Sequence, residues 1–201
     1  MPDIKLYSYG GCPFARRTRM TLAEKDIDYE LIEIDLRNRP ANFKEISPYG
    51  KVPVLFHNGN RLYESAIINE YLDEVYPEPP LMPDDPLQKA QTRIWMNYCD
   101  TQFSNASWQF MQAGDNEEKL AAARATLREC FLFIEHEGMR QLSDGPYWLG
   151  DTFSMLDIQF ATFFSRYMSE PGASEIPTEC TRLKTWLNLM AGHDSFLKSA
   201  A

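Results

Sequence analysis

The residue with the clearest chemical potential is Cys12, in the stretch Gly-Cys-Pro-Phe-Ala-Arg-Arg at positions 11–17. A strand-like run at 4–8 precedes it, and an amphipathic run that ends near Lys25 follows it. Proline suits the first position of a helix, where its missing N–H costs nothing, so Cys12 is predicted at the N-cap. A thiol there faces unpaired backbone N–H groups and the positive end of the helix dipole, which favour the reactive thiolate. The pattern therefore predicts a nucleophilic cysteine at the first turn of a helix.

Positive charge near Cys12 supports the same prediction. Arg16 is four residues further on, on the same helical face, and Arg17 and Arg19 add charge nearby. We therefore expect the pKa of Cys12 to lie below the ordinary value for a free thiol, about 8.5. Because position 15 is alanine, the second cysteine of a C-x-x-C pair is missing, and Cys12 would act as a monothiol. The alternative is a small apolar residue that happens to precede a proline.

The other candidate nucleophiles and metal ligands have weaker patterns. Tyr7 and Ser8 could in principle supply an activating hydroxyl in place of Cys12, but their position within a strand favours core or sheet roles. The remaining three cysteines lie in helical patterns with apolar neighbours, which predicts buried, inert thiols. Wide cysteine spacing argues against a zinc site or a disulfide framework, and the three histidines lack metal-ligand spacing. The three cysteines predicted to be buried are Cys99, Cys130 and Cys180.

Composition restricts the class of protein further. The chain has 201 residues, enough for one large or two small domains, with 44% apolar residues and a net charge of −9. An acidic surface repels phosphate backbones, which argues against nucleic-acid binding. The sequence contains no apolar run of about 18 residues, as a membrane span requires, and no charged and apolar signal sequence at its start. We expect a cytoplasmic location and no membrane partner.

The first 76 residues have alternating strand and helix patterns. Strands are predicted at 4–8, 29–34, 52–56 and 61–63, and helices at 13–25, 40–47 and 66–75. Short connections in the first strand–helix–strand unit predict that its two strands are parallel. Asn58-Gly59 between apolar runs predicts a hairpin. This element order is that of the α/β thioredoxin-like fold, and a cis Val52-Pro53 bond would leave the Val52 backbone free to pair with a ligand.

A proline-rich connector and a long helical region follow. The connector has no periodicity and is predicted to be an extended linker at 77–85, between an N-terminal domain at 1–76 and an all-α domain at 86–201. Helices are predicted from Pro86 to about residue 113, and from a cap at Asp115 or Asn116 to about 142. Ser154 and Asp157 have the spacing of a capping box, for a helix whose buried positions extend to residue 168. A single final helix is predicted after position 177.

Taken together, these motifs resemble those of the cytosolic glutathione transferase superfamily. The resemblance includes Cys-Pro-Phe after the first strand, the stretch 51–55, Glu64-Ser65, the linker and the helical second half. Within the superfamily, the omega class is most similar to this chain in the stretch from Cys12 to position 15 and in Arg17 and Arg19. The omega class groups with dehydroascorbate reductases. The resemblance implies a glutathione transferase fold, with a thioredoxin-like α/β domain followed by an all-α domain, and a homodimer.

The resemblance also implies a binding site for glutathione, an anionic tripeptide. Ser65 and its helix N-terminus would bind the γ-glutamyl carboxylate, and Glu64 would accept hydrogen bonds from the ligand's ammonium group. The Val52 backbone would pair with the cysteinyl unit in strand-like fashion, and Arg39 would hold the glycyl carboxylate. The implied glutathione-binding residues are Phe14, Arg39, Val52, Pro53, Glu64 and Ser65.

A cysteine at the active position implies thiol–disulfide chemistry. Cys12 would form a mixed disulfide with glutathione, which predicts a glutathione-dependent thiol transferase or reductase, with dehydroascorbate as one candidate substrate. The second substrate would be a small disulfide or electrophile. One alternative is a conjugating transferase or isomerase on the same fold. Another is a non-catalytic binding protein of the stringent-starvation type, which the presence of Cys12, Val52-Pro53 and Glu64-Ser65 disfavours.

Overall fold

The computed structural model describes residues 3–173 and 175–200 and divides into two compact units. Of the described residues, the first unit contains 3–80 together with 193–200, and the second contains 81–173 together with 175–192. This division differs from the predicted boundaries (1–76, 77–85 and 86–201) in two places. Residues 77–80, the first part of the predicted linker, belong to the first unit, and residues 81–85 belong to the second. The C-terminal segment from residue 193 also belongs to the first unit.

A four-stranded sheet forms the centre of the first unit. Its strands are β1 (Ile4–Ser8), β2 (Glu30–Glu33), β3 (Val54–His57) and β4 (Asn60–Tyr63), in the order β2-β1-β3-β4. β1 and β2 are parallel, as predicted, and β3 is antiparallel to both β1 and β4. The predicted hairpin is also confirmed, because Asn58 and Gly59 have φ angles of 49° and 77°, as a type I′ turn requires.

Three helices complete the α/β order of this unit. They are α1 (Pro13–Glu24), α2 (Phe43–Ile46) and α3 (Ser65–Val75), and the predicted thioredoxin-like fold is confirmed. α1 and α3 pack together and bury apolar residues from the sheet and the helices. Polar contacts also join them, since the Thr18 hydroxyl donates to the Asn69 side-chain oxygen at 3.0 Å. The buried apolar cluster contains Ile4, Leu6, Leu22, Leu55, Ile68 and Leu72.

The second unit is helical, as predicted. Its helices are α4 (Pro86–Tyr98), α5 (Ser104–Ala113), α6 (Glu117–Phe133), α7 (Arg140–Leu142), α8 (Met155–Met168) and α9 (Thr181–Ala191). π-helical turns at Cys99–Phe103 and Ile134–Met139 join α4 to α5 and α6 to α7, so each pair forms one continuous helical path. Cys99, Cys130 and Cys180 are buried, as predicted. No helix in 3–173 or 175–200 is long and apolar enough to cross a membrane.

The helix-initiation signals in this unit are confirmed. The Asn116 side chain accepts a hydrogen bond from the Lys119 N–H at 2.9 Å, which caps α6. Ser154 and Asp157 form the predicted capping box at the start of α8. One predicted burial is wrong, because Met168 in the last turn of α8 is 53% exposed, while its neighbour Tyr167 is buried.

The sequence did not predict the last helix, α10 (Asp194–Lys198), which belongs to the first unit. A single helix was expected after position 177, but α9 ends at Ala191 and a short second helix follows Gly192. A helix of five residues has too few turns to produce a clear periodicity. α10 packs against α1, and the Arg16 guanidinium donates to the Phe196 carbonyl at 3.1 Å.

Candidate active site

Cys12 is the N-cap residue of α1, as predicted, and Pro13 occupies the first helical turn. Its backbone is extended, with φ −91° and ψ 116°, and its N–H donates to the Tyr9 carbonyl at 2.9 Å. The Cys12 thiol lies 3.8 Å from the Val52 carbonyl oxygen, within reach of a weak S–H···O hydrogen bond. The thiol is therefore fixed between the end of β1 and the loop that precedes β3.

The surroundings of the Cys12 thiol are mostly apolar. Burial raises the pKa of this thiol above its ordinary value, because an apolar environment disfavours the charged form. The backbone N–H groups of Ala15 and Phe14 and the charges of Arg17 and Arg19 lower the pKa, but they do not reverse the effect of burial. The expected lowered pKa is therefore wrong for the unliganded chain. Cys12 packs against a buried cluster of Ala15, Ile34, Phe43 and Val52.

The three nearby arginines have different partners. Arg16 was expected to support Cys12, but it contacts α10 instead, with its guanidinium carbon 4.1 Å from the centre of the Phe196 ring. Arg17 is buried and donates to the Ser65 hydroxyl oxygen at 3.4 Å. Arg19 is also buried and donates to backbone carbonyls just before Cys12. Only two of the three predicted charges are therefore placed to act on the thiol.

A cleft with a volume of about 150 Å³ lies beside Cys12 in the first unit. It brings together five of the six residues that the sequence predicted for glutathione binding, and Arg39 is the exception. Arg39 is exposed and donates to the Leu36 carbonyl at 3.1 Å. The cleft is lined by Phe14, Ser47, Tyr49, Lys51, Val52, Pro53, Tyr63, Glu64 and Ser65.

Sequence reasoning did not assign four of these lining residues, Ser47, Tyr49, Lys51 and Tyr63. Lys51 matters most for ligand binding, because it is an exposed cation that lines the cleft, whereas Arg39 does not line it. A signal for it was present, because Lys51 begins the stretch Lys-Val-Pro-Val-Leu that the resemblance used. Tyr49 and Tyr63 form an edge-to-face aromatic pair, with ring centres 5.1 Å apart.

The Val52-Pro53 bond is cis, as inferred from the sequence. Val52 precedes β3, and its carbonyl is the one that faces the Cys12 thiol. In the described part of the chain, the Val52 N–H has no hydrogen-bond acceptor. An extended peptide in the cleft could therefore pair with this backbone segment in the manner of an added strand.

Glu64 and Ser65 bring the start of α3 to the same cleft. Glu64 has φ 71° and ψ 110°, a conformation that costs a non-glycine residue about 1 to 3 kcal/mol and that occurs mainly at functional sites. Ser65 is the first residue of α3, and because its oxygen accepts from Arg17, its own hydrogen is available to another acceptor. Helix N–H groups and a hydroxyl here suit a carboxylate.

A thioredoxin-like α/β unit with an N-cap cysteine, a cis-proline loop and a carboxylate-binding helix start has the form of a glutathione-binding domain. The chain matches the family model described as glutathione S-transferase, N-terminal domain, over residues 6–80. It also matches the model for the glutathione S-transferase C-terminal domain over residues 117–189. The chain belongs to the glutathione S-transferase family, and glutathione is its co-substrate.

Individual relatives agree with this assignment. Glutathione S-transferase U26 of Arabidopsis thaliana is 36% identical over 203 residues, which cover 99% of this chain and 90% of the relative. The Tau class enzyme MiGSTU from mango, Mangifera indica, has a TM-score of 0.87 at 27% identity, over 98% of this chain and 92% of that one. Glutathione transferase Omega 3C from Trametes versicolor has a TM-score of 0.85 at 25% identity, over 99% of this chain and 89% of that one.

Proposed function

We propose that this glutathione transferase is a thiol transferase or reductase of omega-like type, with Cys12 as its nucleophile. The observation that carries the proposal is the position of Cys12 as N-cap of α1, with its sulfur 3.8 Å from the Val52 carbonyl. Val52 lines the cleft, so a sulfur at this point lies beside a bound tripeptide. Cys99, Cys130 and Cys180 are buried, which leaves Cys12 as the accessible thiol of the described residues.

The reaction takes place in two exchanges. The Cys12 thiolate attacks the glutathione sulfur of a mixed disulfide, forms a Cys12–glutathione disulfide and releases the substrate as a thiolate, which takes up a proton. The thiolate of a second glutathione molecule then attacks the glutathione sulfur of this adduct, which releases Cys12 as a thiolate and yields glutathione disulfide. In sum, the mixed disulfide and one glutathione thiol become the substrate thiol and glutathione disulfide, and no second protein cysteine is needed.

Residues of the cleft supply the binding groups in this proposal. The γ-glutamyl carboxylate accepts from the Ser65 hydroxyl and the first N–H groups of α3, while Glu64 accepts from the ligand's ammonium group. The cysteinyl unit pairs with the Val52 backbone, and Phe14 and Pro53 line the cleft. Lys51 takes the glycyl carboxylate, because it lines the cleft and Arg39 does not.

The raised pKa of Cys12 favours a second candidate, a conjugating transferase. Because burial keeps the thiol in its S–H form, Cys12 can act as a donor, as a hydroxyl would. In that role it donates a hydrogen bond to the thiolate of glutathione, and this thiolate attacks an electrophile. Similar structures include both the mango Tau class enzyme and glutathione transferase Omega 3C, so the classes of the relatives do not decide between the two candidates.

Substitution of Cys12 separates the two candidates. The Cys12→Ser variant keeps a hydrogen-bond donor but cannot form a disulfide, so we expect it to lose reduction of a small disulfide and of dehydroascorbate. The same variant should keep conjugation of glutathione to an aryl halide. Intact-mass analysis after incubation with glutathione disulfide should show one glutathione adduct at Cys12 in the wild type and none in Cys12→Ser. A Cys130→Ser variant is the control for general loss of a cysteine.

The outcomes are distinct for each candidate. The wild-type protein could bind to a matrix of immobilised glutathione, yet form no glutathione adduct and reduce no disulfide. That result would contradict the reductase proposal and favour the conjugating transferase. A chain without affinity for glutathione would contradict both and favour a non-catalytic binding protein. Full disulfide reduction by Cys12→Ser would show that Cys12 is not the nucleophile.

We also propose that the chain acts as a homodimer, as the family resemblance implies, and that it is located in the cytoplasm, as expected from the sequence. The chain mass is 23.3 kDa, so light scattering on the purified protein should give twice that mass. A mass of one chain at micromolar concentration would contradict the dimer. Fractionation of the source cells tests the location.

A further inference from the structure

Arg19 is buried in the first unit, where it contacts the turn at residues 9–12, which presents Cys12. Its side chain is 1% exposed, and its guanidinium donates to the Tyr9 carbonyl at 3.4 Å and the Gly10 carbonyl at 3.3 Å. It also donates to the Ser8 hydroxyl oxygen. The same Tyr9 carbonyl accepts the Cys12 N–H at 2.9 Å. The Tyr9 carbonyl therefore links the two residues, because it accepts one hydrogen bond from Arg19 and another from the Cys12 backbone.

The other edge of the Arg19 guanidinium is bonded to the C-terminal segment. Its Nε–H donates at 3.0 Å to the carbonyl of Ser199, which is the C-cap residue of α10. Arg16 reinforces this attachment, because it donates to the Phe196 carbonyl at 3.1 Å and to the Ser199 hydroxyl at 3.2 Å. Two cations thus hold the last turn of α10, where free carbonyls favour positive charge.

The chemistry of this position requires an arginine. A planar guanidinium donates in several fixed directions at once, whereas a lysine ammonium is a compact charge on a flexible stem. Burial lowers the pKa of Arg19, and the charge of Glu33 acts in the opposite direction. The Glu33 carboxylate in turn accepts from the Gly10 N–H. A buried cation with this many acceptors fixes the geometry of the turn on both sides.

We propose that Arg19 is a positioning residue that couples the C-terminal helix α10 to the turn that presents Cys12. The proposal rests on the role of Cys12 proposed above and extends it. Arg19 does not line the cleft and so touches no part of a bound tripeptide there. Its effect on the reaction is therefore indirect, through the Tyr9 carbonyl and the Cys12 N–H. The reaction thus depends on residues at the far end of the sequence.

The test compares Arg19→Lys and Arg19→Met with wild type in the full-length chain. Arg128→Met, which removes an exposed arginine from α6, is the matched control. For each protein we would measure kcat and the KM for glutathione in the reduction of a small disulfide. We would also measure the pH profile of Cys12 alkylation by iodoacetamide. Displacement of a nucleophile by about 1 Å can cost up to about a hundredfold in rate, so we expect a loss in kcat of at least about tenfold in Arg19→Lys. KM for glutathione should change by less than about threefold, since the groups that bind glutathione are intact.

The alkylation profile separates positioning from charge alone. Arg19→Lys keeps the charge, so wild-type kcat and a wild-type profile in this variant would overturn the proposal. A loss in Arg19→Lys nearly as large as in Arg19→Met supports it. Alkylation by iodoacetamide reports on Cys12 whether or not the proposed reaction occurs. If the wild-type enzyme forms no glutathione adduct, the proposed function is refuted, but the alkylation profiles of the Arg19 variants still test the positioning role.

If neither Arg19 variant folds, Arg16→Met decides the proposal. This variant removes the donors to Phe196 and the Ser199 hydroxyl but leaves the turn before Cys12 intact. We expect a loss in kcat of about two- to fivefold, a shifted alkylation profile and an unchanged KM, because the last turn of α10 then keeps the Arg19 contact but loses both Arg16 contacts. Wild-type kcat and a wild-type alkylation profile in folded Arg16→Met would overturn the coupling.

Discussion

The Sγ atom of Cys12 and the carbonyl oxygen of Val52 lie 3.8 Å apart, although 40 positions separate the two residues in the sequence. The contact joins the start of α1 to the loop before β3, and it gives the thiol a neutral hydrogen-bond acceptor. A carbonyl oxygen stabilises an S–H donor and not a thiolate. A tripeptide that pairs with the Val52 backbone competes for this carbonyl and so changes the partner of the thiol.

The first prediction concerns the pH dependence of Cys12 reactivity. Burial favours the neutral thiol, so the folded chain holds the proton to a higher pH than a free thiol does. We expect the rate of Cys12 alkylation by iodoacetamide, without glutathione, to rise with pH to a midpoint above about 8.5, the value of a free thiol. Cys12→Ala supplies the background rate, and free glutathione supplies the reference profile. A plateau reached below neutral pH would contradict the prediction.

A second prediction distinguishes Lys51 from Arg39 as the partner of the glycyl carboxylate. Lys51 lines the cleft, whereas Arg39 is exposed outside it and is bonded to the Leu36 carbonyl. We expect Lys51→Met to raise KM for glutathione by about three- to tenfold, since the pair is exposed and partly screened by solvent. Arg39→Met should change KM by less than about twofold. Steady-state kinetics with varied glutathione measures both.

The dipeptide γ-glutamylcysteine is the ligand control for this pair of variants, because it has no glycyl unit. If Lys51 holds the glycyl carboxylate, wild type and Lys51→Met should bind the dipeptide with similar affinity in calorimetry. An equal loss of affinity for both ligands would place Lys51 at another part of the tripeptide. A large effect of Arg39→Met alone would restore the assignment made from the family resemblance.

A third prediction uses the unusual backbone of Glu64. Glycine adopts a φ of 71° without steric cost, so Glu64→Gly should raise the free energy of unfolding by about 0.5 to 1 kcal/mol. The same change removes the carboxylate proposed to accept from the ammonium group of glutathione, so affinity for glutathione should fall by at least about tenfold. Urea denaturation and calorimetry measure the two effects.

Two variants separate these effects. Glu64→Gln removes the charge but keeps the strained backbone, so it should lose affinity without any gain in stability. Asp26→Gly is the matched control for strain, because Asp26 has φ 51° just after α1 and does not line the cleft. It should gain stability and keep full affinity. Lower stability of Glu64→Gly than of wild type would contradict the strain argument.

Local signals predicted much of the fold and of the site. Proline at position 13 predicted the N-cap at Cys12, and Asn58-Gly59 predicted the hairpin, because in both cases adjacent residues determine the backbone conformation. The partner of Arg16 was not predicted, since it lies on α10, about 180 residues away. The pKa of Cys12 was predicted in the wrong direction for a similar reason. Helix start and charge are local, whereas burial depends on packing against Ile34, Phe43 and Val52.

The last prediction concerns Asp157, whose capping-box role was visible in the sequence but whose other partners were not. Its carboxylate accepts from the Ser154 N–H at 2.9 Å and from the Ser154 hydroxyl at 2.6 Å. It also accepts from the Trp186 indole N–H at 2.7 Å and the Trp148 N–H at 3.2 Å, so it joins three segments of the second unit. Asp157→Asn keeps the shape of the side chain but turns an N–H₂ group toward buried donors. We expect it to lower the free energy of unfolding by about 2 to 3 kcal/mol.

Urea denaturation followed by tryptophan fluorescence measures this change directly, because Trp148 and Trp186 are both partners of Asp157. Asp151→Asn, an exposed change in the same loop, is the matched control and should leave the midpoint within error. Ser154→Ala removes the hydroxyl, which donates to the Asp157 carboxylate and accepts from the N–H of residue 157, but it leaves the tryptophan contacts of Asp157 in place. It should cost about 1 kcal/mol, less than Asp157→Asn. Equal midpoints for Asp157→Asn and Asp151→Asn would show that the carboxylate is not needed to hold these segments together. A smaller cost for Asp157→Asn than for Ser154→Ala would limit its role to the helix cap.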